Sequence, residues 1–75
     1  MTRYTVGDRV SWESFDHRIM TGEIKDVWYN TYNVQLVHGG YATLEHDRVI
    51  RLATPEDILS DCEYYSRPIP ERWEN

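Results

Sequence analysis

The sequence predicts a mainly β domain, a small barrel of five short strands followed by a brief helix and an extended acidic arm. Three observations predict it. Between Val6 and Leu52, short runs of β-forming residues recur, each broken by turn residues at the spacing of a small barrel. One break is the glycine pair of "HGG" (His38 to Gly40), which suits a tight hairpin because glycine accepts positive φ at little cost. Beyond Thr54 the pattern changes to helix-start signals and then to prolines.

The first strand is "RVSWE", with Val10 and Trp12 on one side and Arg9, Ser11 and Glu13 on the other. The polar "SFDHR" follows as a loop. In "IMTGEIKDVW", Gly22 is expected to mark a bulge or a sharp bend, and the spacing of Ile24 and Val27 breaks strict alternation in keeping with that. "YNVQLV" alternates, with Val34 and Leu36 facing one way. After the glycine turn, "YATLE" returns with Ala42 and Leu44 inward, "HDR" turns the chain, and "VIRL" closes the series. Thr54 is placed to cap a helix with Pro55 at its first position and Glu56 and Asp57 at the positive end of the helix dipole. A turn or two is expected, with Ile58, Leu59 and Cys62 on one face as a lid over the barrel end. Pro68 and Pro70 prevent helix further on and favour an extended course. Its apolar Tyr64, Tyr65, Ile69 and Trp73 predict that part of this arm packs back. The expected division is a barrel over 1–53 and the helix and arm over 54–75.

The chain of 75 residues is one domain of modest burial. No apolar run approaches the ~20 residues of a membrane span, and "MTRYTVGDRV" carries no secretory-type stretch. The single cysteine, Cys62, cannot build an internal disulfide or a cysteine zinc cage, so a reducing cytoplasm is the expected setting. Charge is uneven. Residues 1–52 hold six Lys/Arg and seven Asp/Glu, a net of −1, while 53–75 hold two Arg and six Asp/Glu, a net of −4. A broad phosphate-binding face needs clustered cations and is disfavoured; an acidic end suits a basic protein surface or simply solvent.

The stretches "YTVGDRVSW", "TGEIKDV", "YNVQLV" and "TLEHDRVIRL" together resemble the SH3-like small barrels of Tudor, KOW and CarD-type polymerase-interacting domains. The resemblance covers roughly residues 4–52. It implies a binding module: Tudor-like domains grip methylated side chains or peptides in aromatic cages, KOW domains touch RNA, ribosomes or polymerase, and CarD-type domains bind polymerase. The KOW glycine pattern is incomplete here, and these 75 residues do not include the DNA-binding partner domain of the CarD type, so any polymerase contact is expected from an isolated module. A small regulatory or adapter protein of bacterial or phage type is the implied setting.

The stretch "DVWYNTYNVQLV" crowds Trp28, Tyr29 and Tyr32 around an Asn-Thr pair at a chain reversal. Tyr32 shares the direction of Val34 and is expected half inside. Trp28 and Tyr29, with Phe15 from the facing loop, either shield the core's rim or form a hot spot for a partner. Tyr41 and Trp73 complete the candidate partner-binding residues. A methyl-lysine cage would draw on Trp12, Phe15, Trp28, Tyr29 and Tyr41, with Asp16 or Asp26 for charge, if the rings converged. A protein partner is favoured; RNA or DNA stacked on the same rings is the alternative. His17, His38 and His46 fall in three separate turns and are expected as surface residues, not metal ligands. No nucleophile sits in a recognisable elbow or triad context, so neither enzyme activity nor a cofactor is expected. "RPIPERW" could also serve as a ligand for a proline-reading domain. Exposed strand edges leave a homodimer open.

Overall fold

The computed structural model describes residues 4–74; residues 1–3 and Asn75, the ends of the two expected segments, lie outside the described residues. Five strands form, β1 (Arg9–Glu13), β2 (Ile19–Val27), β3 (Thr31–Leu36), β4 (Tyr41–Glu45) and β5 (Val49–Leu52). They pair antiparallel in one sheet of order β4-β3-β2-β1-β5. A 3₁₀ turn, His46–Arg48, links β4 to β5. The expected hairpin joins β3 to β4, with Gly39 at φ 91° and Gly40 at φ 82°, a region where a side chain would be strained.

No ladder joins β4 to β5, so the sheet is not closed. It is nevertheless strongly curved. Val10, Trp12, Ile24, Tyr32, Val34 and Leu44 form one buried cluster, with Val49 of the opposite edge packed on it. In a flat sheet the outer strands would stand roughly 19 Å apart. Val10, Ile24 and Val34 have no exposed surface, although the long helix lies on the other face. The sheet therefore wraps its own core. Two register shifts supply the bending: one between Ile24 and Asp26 against β3, the other between Ser11 and Trp12 against β5.

The first shift corrects the expectation for Gly22, which is regularly paired with Val10 and Leu36. Its lack of a side chain serves packing instead. A Cβ there would meet the Gln35 carbonyl oxygen at 3.0 Å and the Trp12 ring at 3.1 Å. Trp12 is accordingly a core residue at 4% exposure and cannot belong to a surface cage. The second shift leaves Ile50 without a partner on β1, and its side chain stands in solvent.

Helix α1 (Pro55–Tyr64) is longer than the one or two turns expected. Thr54 caps it with Pro55 at its start, and Asp57 completes a capping box by accepting from the Thr54 N–H while its own N–H donates to the Thr54 hydroxyl. Its inward face also differs from the expected lid. Ile58 and Cys62 are buried, but Leu59 is exposed and the remaining inward positions are Asp57 and Asp61. These carboxylates take the inner face because the sheet offers them donors. The Ser11 hydroxyl donates to Asp57 at 2.9 Å, and Arg51 grips Asp57 through Nε at 3.0 Å and Nη2 at 2.7 Å. The Thr21 N–H and hydroxyl both donate to Asp61, at 2.9 and 3.0 Å. Ser11 and Thr21 stand directly opposite each other on β1 and β2.

On the helix's other flank, Val37, Ile58, Cys62 and Trp73 form a second buried cluster with Ala53 and Ile69 against it. Burial, then the Asp61 charge, pushes the Cys62 thiol upward, so it stays an uncharged packing group. The arm runs without regular structure through the prolines to a 3₁₀ turn, Glu71–Trp73. Arg9 locks it, with its guanidinium 4.7 Å over the Trp73 ring and hydrogen-bonded to the Arg72 carbonyl. Among the described residues, no helix is long and apolar enough to cross a membrane.

Candidate functional site

The five candidate partner-binding residues do not share one fate. Trp73 leaves the set. At 4% exposure it is the anchor that ties the arm to the helix, because an indole beside Ile58 and Ile69 buries more apolar surface there than the rest of the arm can. Phe15 and Tyr29 are each 96% exposed, while Trp28 and Tyr41 are about two-thirds exposed. Tyr41 opens β4 opposite Gln35, whereas Thr31 pairs with Glu45. It therefore lies roughly 13 Å along the strand from the β2–β3 turn, at the far end of the hairpin.

The remaining three are organised by the 3₁₀ turn His46–Arg48. One flank of this turn is held to the β2–β3 reversal, where the His46 N–H donates to the Asn30 carbonyl at 3.3 Å and its Nε2 lies 3.2 Å from the Thr31 carbonyl. The other flank is held to the end of β1, where Arg48 Nη2 donates to the Glu13 carbonyl at 2.8 Å. A turn of three residues thus bridges the loop that carries Phe15 and the reversal that carries Trp28 and Tyr29. On one side lies a shallow hollow lined by Phe15, Glu13, Asp47, Arg48 and Ile50. On the other lies a second hollow lined by Tyr29, Asn30, Glu45, His46 and Asp47. Asp47 borders both.

The reversal itself explains which rings are displayed. The Trp28 N–H donates to the Thr31 carbonyl at 2.8 Å, closing a tight turn that throws Tyr29 outward. Tyr32, expected half inside, is fully buried at 2% exposure, with its hydroxyl accepting from the Tyr4 N–H at 3.2 Å. His46 stacks on Tyr32 at 4.1 Å between centroids. The rings at the surface do not converge: among the described residues no ring pair joins Phe15, Trp28, Tyr29 or Tyr41. What emerges is an aromatic rim along a ridge rather than a closed cage.

Carboxylates surround this rim. Glu13, Glu45 and Asp47 line the hollows against one guanidinium, Arg48, which stands 6.0 Å over the Phe15 ring. Asp16, beside Phe15, is held below the usual carboxylate range by the Ser14 hydroxyl and then by Arg18. The histidines go elsewhere. His17 stays on the loop within 3.6 Å of Glu13, while His38 is half-buried against Tyr65 at 4.2 Å. Two of the three thus take packing positions rather than the open surface expected of them, because each has an aromatic ring to pack against, stacked for His46 and tilted for His38. Among the described residues, no three of His, Cys, Asp and Glu gather as a metal site would require.

Two residues that the sequence did not single out, Asp47 and Ile50, also line these hollows. The turn and the register shift bring them beside Phe15 and Tyr29, and no local pattern signals either placement. No protein-family model matches this chain, and no curated protein or solved structure matches it either.

Proposed function

We propose that the chain is a non-catalytic binding module, a small adapter that engages another protein through the rim of Phe15, Trp28 and Tyr29. The curved sheet is read as an SH3-like small barrel, supported by the single core that all five strands share. The observation that carries the functional reading is the 96% exposure of both Phe15 and Tyr29, on the two sides of Asp47. Trp, Tyr and Arg are enriched where partners bind, and Trp28, Tyr29 and Arg48 all stand exposed at this rim. The exposed Glu56, Glu63, Glu71 and Glu74 of the carboxy-terminal part add long-range attraction for a basic surface. The test is capture from cell extract on the immobilised chain, compared with a Phe15→Ala/Tyr29→Ala variant whose melting is unchanged. Loss of the captured protein on the variant is the expected result; undiminished capture would refute the rim.

A further inference from the structure

We infer that the segment docking on this rim is a cationic peptide with apolar flanks, its Lys or Arg side chain seated at Asp47 between Phe15 and Tyr29. The inference rests on the rim being the binding surface and adds the chemistry of what it takes. Three carboxylates, one arginine and two histidines line the two hollows, a local net of −2 with the histidines neutral. Among the described residues, neither Glu45 nor Asp47 forms an ion pair. The nearby arginines are directed elsewhere: Arg48 donates to the Glu13 carbonyl, and Arg18 turns inward to Asp61, 3.5 Å away, with its guanidinium 3.9 Å over the Tyr64 ring. Arg48 and His17 border the Phe15 side of the rim, so the carboxylates left for an incoming cation are Glu45 and Asp47.

The apolar side of the match comes from Phe15 with Ile50 in one hollow and the Tyr29 ring in the other. Ile50 is solvent-facing because the register shift frees it from β1. A peptide crossing the 3₁₀ turn would meet ring, carboxylate and ring in succession. A cation there gains from Asp47 and Glu45, while its apolar flanks meet the exposed rings. A phosphate backbone would meet the same carboxylates as repulsion, which disfavours nucleic acid on these rings.

The experiment selects from a displayed library of random twelve-residue peptides on the full chain, then measures enriched peptides by fluorescence anisotropy. Expected are enriched sequences of net positive charge with apolar or aromatic neighbours. Their affinity should fall roughly three- to tenfold in a Glu45→Gln/Asp47→Asn variant of unchanged circular dichroism. Raising salt should weaken wild type more than this variant. Neutral or acidic winners, or equal affinity in both proteins, would overturn the cationic assignment. If those winners still lose binding with Phe15→Ala/Tyr29→Ala, the rim reading survives alone. Indifference to the ring substitutions overturns both. A library that yields no enrichment, or a labelled twelve-nucleotide oligouridine that binds more tightly than any peptide, also overturns the proposal.

Discussion

The Asp61 carboxylate accepts from both the backbone N–H and the hydroxyl of Thr21, forty positions earlier in the chain, with no exposed surface on either residue. One helical turn before it, Asp57 takes the hydroxyl of Ser11, the residue facing Thr21 across the strands. Residues four apart on a helix and a directly opposed strand pair have similar spacings, about 5 Å. Two buried acids therefore pin α1 to the outer face of β1 and β2. A buried carboxylate is tolerable only where donors meet it.

Removing the donor side tests this pin. Thr21→Val takes away the hydroxyl while conserving shape, and should cost about 1–3 kcal/mol because Asp61 stays buried. Combined with Asp61→Asn, the loss should be markedly less than additive in a urea-unfolding double-mutant cycle. Simple additivity would mean that the two residues stabilise the fold independently.

Acid stability should follow Asp57. Arg51 first, then the Thr54 N–H and the Ser11 hydroxyl, outweigh burial and hold its carboxyl at about 2 instead of 3.8. The folded value lies below the unfolded one, so the stabilisation is fully present above about pH 4 and is lost as pH falls through about 2. Its size is about 1–2 kcal/mol once discounted for Arg51, whose side chain is 46% exposed. Urea midpoints measured from pH 6 to pH 2 should fall more steeply in the native protein than in Asp57→Asn.

The glycine in β2 permits no side chain. Gly22→Ala would press a methyl group on the Gln35 carbonyl and the Trp12 ring, and should destabilise by about 1–3 kcal/mol. A paired Trp12→Phe substitution should recover part of the loss, because it shortens the ring at the contact. Unchanged thermal melting in Gly22→Ala would contradict this packing.

Trp73 and Tyr41 should separate cleanly. Trp73→Ala removes the anchor of the second cluster and should cost about 3 kcal/mol, with faster amide exchange in the arm. Tyr41→Ala, at a position 66% exposed, should stay within about 0.5 kcal/mol of native.

Much of the layout was already present in the amino acids. Alternation marked β1, β3 and β4; His38–Gly40 marked the hairpin; Thr54 and Pro55 marked the start of α1. Each of these rests on backbone geometry within a few neighbouring residues, so local chemistry suffices to specify it. The inward turn of Asp57 and Asp61, the burial of Trp73 and the placing of Asp47 between Phe15 and Tyr29 depend on groups distant along the chain. Asp61 in isolation is indistinguishable from any solvated helix carboxylate. Only when the curled sheet carries Thr21 to it does the balance between water and protein donors tip inward, and that balance is a property of the assembled fold.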